Sequence, residues 1–99
     1  MRQGTTPTLI IHTSGIELKK LTSLYLTIEQ NGTLLTKRME DLEIEENTVA
    51  VTLTQKETLQ FTPGSYQVQI RAITDEGVAI ASPILSRSVF PVLYKEIIE

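Results

Sequence analysis

The sequence contains no cysteine and no tryptophan, and it has a single histidine, His12, among 99 residues. Without cysteine, the chain cannot form a disulfide, a thiolate nucleophile or a cysteine-ligated zinc site. It also lacks a run of about 18 apolar residues, which a membrane helix needs. The opening segment Met1–Pro7 has no apolar stretch of the kind found in secretory signals. We therefore expect synthesis in the cytoplasm, no thiol chemistry and no membrane partner.

Basic residues are few and scattered. Nine Lys and Arg residues stand against twelve Asp and Glu residues, which gives a net charge of −3. Only Lys19-Lys20 and Lys37-Arg38 bring basic residues together. A nucleic-acid-binding surface needs a denser basic stripe, so no nucleic-acid partner is expected. The length and the 40% hydrophobic content are those of one globular domain with its own core.

The clearest local pattern is a β-hairpin. Apolar and polar residues alternate over Leu24–Glu29, which is typical of a strand with one buried face. Asn31-Gly32 favours the positive φ angles of a type I′ turn, and Thr33–Met39 forms the returning strand. The alternation places Leu24, Leu26 and Ile28 in the core and leaves Tyr25, Thr27 and Glu29 on the outer face.

Four further segments read as strands. A short apolar run between Pro7 and Ser14-Gly15 predicts a first strand over Thr8–Thr13. Alternation predicts a half-buried strand in which Val49, Val51 and Leu53 alternate with Thr48, Ala50 and Thr52, and a strand over Ser65–Thr74 with Tyr66, Val68, Ile70 and Ala72 facing inward. A longer strand over Val78–Phe90 is interrupted at Pro83, because proline cannot donate to a sheet ladder. The acidic segment 40–47 carries at most one short strand.

One short helix is also predicted. Thr54 and Glu57 have the spacing of a capping box, which starts one or two helical turns between Gln55 and Gln60. Such a helix would cross between two sheets, and we expect Leu59 and Phe61 to point into the core.

Together these elements predict an all-β fold. About seven short strands with one short helical crossover indicate an immunoglobulin-like two-sheet antiparallel sandwich over residues 1–90, followed by a C-terminal arm over residues 91–99. The spacing of Leu59, Phe61, Pro63-Gly64 and Tyr66 resembles the tyrosine corner of immunoglobulin and fibronectin type III domains. In those domains a tyrosine hydroxyl anchors the loop before strand F.

Residues that could take part in catalysis or metal binding lack the partner residues and motifs that such sites need. His12 has Ser14, Ser23 and Asp75 as conceivable partners, but no nucleophile motif surrounds any of them, so His12 is interpreted as a surface histidine. The acidic run 40–46 lacks the glycine and the ligand spacing of a calcium loop and is interpreted as a solvated turn. We expect no catalytic residue, no metal, no cofactor and no small-molecule substrate.

Apolar residues outside the assigned core have two interpretations. Ile10, Ile73, Ala79, Ala81 and Leu85 fall opposite the core positions or in uncertain register. The tail, which has left the alternating pattern, adds Val92, Leu93, Ile97 and Ile98 beyond the last strand. They form part of a protein contact surface, or the assumed register is off by one residue and they belong to the core.

Four stretches carry a family resemblance. They are RQGTTPT from Arg2, LYLTIEQNGTLLTK from Leu24, TVAVTLTQKETLQF from Thr48 and GSYQVQIRAITDEGVAIAS from Gly64. Together they resemble small β-sandwich domains encoded by phages and prophages of Gram-positive bacteria, among them the N-terminal domain of the phage baseplate upper protein. The resemblance covers most of the chain.

The resemblance implies a non-catalytic structural protein of a tail, neck or baseplate, with a final location in the virion. Its partners would be other phage structural proteins or further copies of itself in a homo-oligomer. The expected interface residues lie in the two terminal segments: Arg2, Gln3, Thr5, Thr6, Val92, Leu93, Tyr94 and Ile97. The alternative is a module that binds a carbohydrate or another surface ligand on the outward rings of Tyr25 and Tyr94.

Overall fold

The computed structural model describes all 99 residues and contains eight strands and one α-helix. The strands are β1 (Thr8–His12), β2 (Leu21–Gln30), β3 (Thr33–Arg38), β4 (Glu43–Ile44), β5 (Thr48–Thr52), β6 (Gly64–Thr74), β7 (Ala79–Ala81) and β8 (Leu85–Val89). The helix α1 spans Gln55–Leu59, and single 3₁₀ turns occupy Leu18–Lys20 and Met39–Asp41.

The strands form two antiparallel sheets. A three-stranded sheet has the order β1-β5-β4, and a five-stranded sheet has the order β3-β2-β6 with β7 and β8 both paired to the far edge of β6. The helix α1 connects β5 of the first sheet to β6 of the second. The prediction of an all-β, two-sheet arrangement with a short helical crossover is therefore confirmed.

The strand count differs from the predicted seven partly because Pro83 divides the last long strand. Between the pairs Arg71↔Ala81 and Val68↔Leu85, β6 advances three residues while its partner advances four, so one residue is extra. Such an insertion is a β-bulge. Ser82 fills the gap: its N–H donates to the Ile70 carbonyl at 2.8 Å, and its Oγ accepts the Ile70 N–H at 3.0 Å.

The hairpin is as predicted. Asn31 and Gly32 have φ angles of +49° and +90°, and Gln30 pairs with Thr33 directly across the turn. Asparagine tolerates positive φ better than most residues and glycine has no Cβ to clash, so this dipeptide fixes the register of β2 against β3.

The core lies between the sheets and contains 15 buried apolar residues. It includes every core position predicted from alternation in β2, β5 and β6: Leu24, Leu26, Ile28, Val49, Val51, Tyr66, Val68, Ile70 and Ala72. Phe61 is fully buried as expected, whereas Leu59 is only half-buried. Thr58 is fully buried instead, because its hydroxyl donates to the carbonyls of Thr5 and Gln55.

The two interpretations of the extra apolar residues are now separated. Ile10, Ile73, Ala79 and Ala81 are exposed, which agrees with the assumed register, whereas Leu85 is half-buried and packs on the core. The exposed group therefore lies on outer sheet faces.

The helix α1 is capped at its start and is joined to strand β3 by an ion pair. Its capping box is present: Thr54 Oγ1 accepts the Glu57 N–H at 3.1 Å, and Glu57 Oε1 accepts the Thr54 N–H at 2.9 Å. Glu57 Oε2 lies 2.6 Å from Lys37 Nζ in β3. Burial raises the pKa of the Glu57 carboxyl, but hydrogen bonds from Lys37 and Thr54 outweigh it and leave the pKa below its ordinary value. The ion pair therefore joins α1 to the five-stranded sheet at neutral pH.

The loop between α1 and β6 is not held by Tyr66. The Tyr66 hydroxyl is buried and has no hydrogen-bond partner, so the anchor of a tyrosine corner is not formed. Burial raises the pKa of this hydroxyl, and the charge of Arg87 offsets part of the rise. Gln30, which is 5% exposed, holds the loop instead: its Nε2 donates to the Thr62 carbonyl at 2.6 Å and its Oε1 accepts the Thr62 N–H at 2.8 Å.

This geometry predicts the effect of Tyr66→Phe. A buried hydroxyl without a partner costs desolvation energy, so its removal should leave the free energy of unfolding unchanged or raise it by as much as about 1 kcal/mol. Urea denaturation followed by far-UV circular dichroism measures the change. A clear loss of stability would mean that the hydroxyl makes a stabilising contact, either with the loop or with the neighbouring Arg87.

Candidate functional site

The two terminal segments, which carry the predicted interface residues, lie side by side. Residues 1–3 run parallel to the end of β8: the Phe90 N–H donates to the Met1 carbonyl at 2.8 Å, and the Gln3 N–H donates to the Phe90 carbonyl at 3.0 Å. Arg2 donates from Nη1 to the Pro91 carbonyl at 2.7 Å, and its guanidinium lies 5.7 Å from the centre of the Phe90 ring. The fold thus brings residues 2–6 and 91–98 into one region.

Gln3 belongs to the interior of this region. It is 4% exposed; its Nε2 donates to the Phe61 carbonyl at 2.6 Å, and its Oε1 accepts the Val92 N–H at 3.3 Å. Val92 is half-buried, and its side chain lies next to Gly4. The Gln3 side chain therefore joins both terminal segments to the loop before β6, and the remaining expected interface residues apart from Val92 are exposed.

The outer residues form what we call the arm surface: Arg2, Thr5, Thr6, Leu93, Tyr94, Ile97 and Ile98. Leu93 is fully exposed, and Tyr94, Ile97 and Ile98 are between 50% and 63% exposed. The far end is fastened by one side chain, since Gln55 Nε2 donates to the Ile98 carbonyl at 3.0 Å and Gln55 Oε1 accepts the Ile98 N–H at 2.9 Å. Ile97 also borders a shallow concavity with Thr6 and Lys56.

A second exposed feature lies on the outer face of the five-stranded sheet. Tyr25 in β2 is paired with Arg38 in β3 on one side and with Arg71 in β6 on the other. We call these three residues the arginine–tyrosine row. The Arg38 guanidinium lies 5.8 Å from the centre of the Tyr25 ring, and the ring is 38% exposed. A concavity beside the row is bordered by Thr27, Thr36 and Ile73.

The other candidates from the sequence lie apart from both features. His12 is exposed at the end of β1, and the acidic residues of the 40–46 run are all exposed. No group of three or more His, Asp or Glu side chains is arranged to hold a metal ion. None of the helices has the length and apolar character that a bilayer crossing requires.

Two buried glutamines were not identified from the sequence. Gln30 is the next alternate position after Leu24, Leu26 and Ile28, so the alternation in β2 could have predicted that it faces inward. Gln3 had no such indication, because its partners Phe61 and Val92 are 58 and 89 residues away along the chain.

Comparison of the chain with known protein families, curated proteins and solved structures gives no match. A functional conclusion therefore depends on the surfaces described above.

Proposed function

We propose that this protein is a non-catalytic structural protein that acts by assembling with other proteins, including further copies of itself, through the arm surface. The supporting observation is that Leu93, Tyr94, Ile97 and Ile98 expose large apolar side chains on one short segment. Clustered exposed apolar side chains usually mark a protein contact, and aromatic anchors such as Tyr94 are enriched in interfaces.

We further propose that the assembly is part of a phage or prophage tail, neck or baseplate, so that the protein ends up in the virion. It depends on the sequence resemblance of the four stretches named above. The genes beside this one test the setting: terminase, portal or tail genes would support it, and an unrelated metabolic neighbourhood would contradict it.

The proposal also includes an immunoglobulin-like strand order. In this assignment β1, β5 and β4 occupy the positions of strands B, E and D, while β3, β2, β6 and the divided pair β7 and β8 occupy those of C′, C, F and G. The observed strand order in each sheet supports it. The chain lacks the cysteine pair and the buried tryptophan of immunoglobulin domains.

A double variant tests the arm surface. Leu93→Ser with Ile97→Ser removes two exposed apolar side chains, so folding should be retained while self-association weakens at least tenfold. Multi-angle light scattering across a concentration series measures the mass. Val78→Ser is the matched control, because Val78 is 51% exposed in a turn outside the arm surface. Equal association of the two variants would contradict an assembly role for the arm.

A ligand-binding module is the second candidate. The exposed Tyr25 ring beside a concavity with threonine and arginine side chains favours it. However, Arg38 already covers the Tyr25 ring, which reduces the ring face available for stacking on a sugar. A glycan array hit that is lost in Tyr25→Ala would support this candidate over assembly.

A further inference from the structure

The arginine–tyrosine row presents two arginine side chains that form no ion pair. The acidic neighbours within the same chain are Asp41, whose carboxylate accepts the Arg38 backbone N–H at 3.4 Å, and Glu40, which borders a concavity with Tyr25 and Arg38. Arg38 and Arg71 are both exposed, and neither guanidinium lies within 4.0 Å of a carboxylate, since the only ion pairs in the structure are Lys20–Glu17 and Lys37–Glu57. Arginine and tyrosine, together with tryptophan, are enriched at the energetic centres of protein interfaces. Next to the row, Ala81 pairs with Arg71 and is exposed. Its small side chain leaves the Arg71 side chain accessible to a partner from that side.

The acidic segment, residues 40–46, presents the opposite charge. Five of its seven residues are acidic, and no basic residue occurs between Arg38 and Lys56. All five carboxylates are exposed and none has an ion-pair partner. Ile44 in β4 packs on the core, so Glu43 and Glu45 on either side of it point away from the core.

Within one chain the β4 part of this segment and the row face in opposite directions. Glu43 pairs with Ala50, so its outward side chain lies on the outer face of the three-stranded sheet. Tyr25 and both arginines lie on the outer face of the five-stranded sheet. Since the outer faces of a sandwich point away from each other, Glu43 of one copy can meet the row only in another copy.

We propose that the arginine–tyrosine row binds Glu43 and Glu45, in the acidic segment of a second copy of this chain. The spacing is suitable: Arg38 and Arg71 are two strands apart, about 10 Å, and Glu43 and Glu45 are two residues apart along an extended chain, about 7 Å. Guanidinium groups pair with carboxylates through two parallel hydrogen bonds, which arginine makes better than lysine.

This contact is head to tail. Each copy offers one row and one acidic segment, so the interface is heterologous, and repeated contacts close into a ring or extend as a filament. The inference rests on the proposed assembly role and adds a second, electrostatic contact to that of the arm surface. Because both charged surfaces are exposed before contact, the association weakens as salt concentration rises.

Sedimentation velocity of the full chain tests this contact at low and high salt. Arg71→Glu and Glu43→Lys should each weaken self-association at least tenfold, and 500 mM sodium chloride should do the same to the unaltered chain. A mixture of the two variants should recover association, because each supplies the surface that the other lacks. Lys19→Glu and Glu76→Lys change the same charges at exposed positions elsewhere and should associate normally.

Three results would overturn the inference. In the first, Arg71→Glu associates as strongly as Lys19→Glu. In the second, the variants lose association but their mixture does not regain it. In the third, a free glutamate-rich peptide saturates the row while the chain itself stays monomeric. Loss of association in the arm variant alone would leave the arm proposal standing and reject this contact. If Arg71→Glu and Glu43→Lys weaken association and the arm variant does not, this contact stands and the arm proposal is rejected.

Discussion

Phe61→Ala is expected to lower the free energy of unfolding by about 3–5 kcal/mol. Phe61 is completely buried at the point where the chain passes from α1 to β6, so its removal leaves a cavity between the two sheets. A domain of this size is stable by about 5–15 kcal/mol in total, so the variant should lose a large fraction of its stability. Urea denaturation followed by far-UV circular dichroism measures the loss.

The second phenylalanine of the chain provides the control. Phe90 is 51% exposed, and the Arg2 guanidinium lies 5.7 Å from the centre of its ring. Phe90→Ala should therefore cost only about 0.5–1 kcal/mol, the size of an exposed cation–π contact. If both variants lost the same stability, Phe61 would not be the central packing residue that the fold indicates.

Gln30→Ala is expected to cost about 2–3 kcal/mol. Its side-chain amide satisfies both the N–H and the carbonyl of Thr62 and also donates to the Ser65 carbonyl at 3.2 Å. The alanine variant leaves these backbone groups short of partners in a partly buried loop, and each unsatisfied group carries a desolvation cost. The same urea titration measures the loss.

Gln67→Ala is the matched control for Gln30. Gln67 lies on the neighbouring strand β6 with its side chain exposed, so its replacement should change stability by no more than about 0.5 kcal/mol. Equal losses in the two variants would show that Gln30 does not anchor the loop. Together with Tyr66→Phe, this pair identifies which side chain performs the anchoring.

The predictable part of the fold was the part encoded locally. The alternation in β2 and β6 identified the buried faces, Asn31-Gly32 identified the turn, and Thr54 with Glu57 identified the helix start. Each of these features depends on residues within a few positions of one another, where backbone sterics and capping chemistry decide the outcome.

The remaining features depend on distant contacts. Thr58 is buried because its hydroxyl reaches the Thr5 carbonyl, 53 residues away, and the sequence alone does not place those groups together. The tyrosine-corner spacing around Tyr66 was present, but its hydroxyl bond was not, because Gln30 holds the loop in its place. Sequence spacing therefore located the loop correctly and did not identify its anchor.

The candidate site also has a part that could be predicted from nearby residues and a part that depends on distant contacts. The exposed apolar residues of the arm were predicted, since they fall outside any alternating pattern. The contact between the two terminal segments, and the arrangement of Arg38 and Arg71 on either side of Tyr25, required the pairing of three strands. Pairing partners in a sheet are set by tertiary packing, so the row became visible only in the folded chain.

The central claim is that this sandwich acts by binding further protein copies through its exposed surfaces. Its most direct test is the molecular mass of the unaltered chain, measured by sedimentation equilibrium over a hundredfold concentration range at low salt. We predict a mass that rises with concentration to a multiple of the 11.1 kDa monomer. A mass that stays at the monomer value throughout would contradict self-assembly.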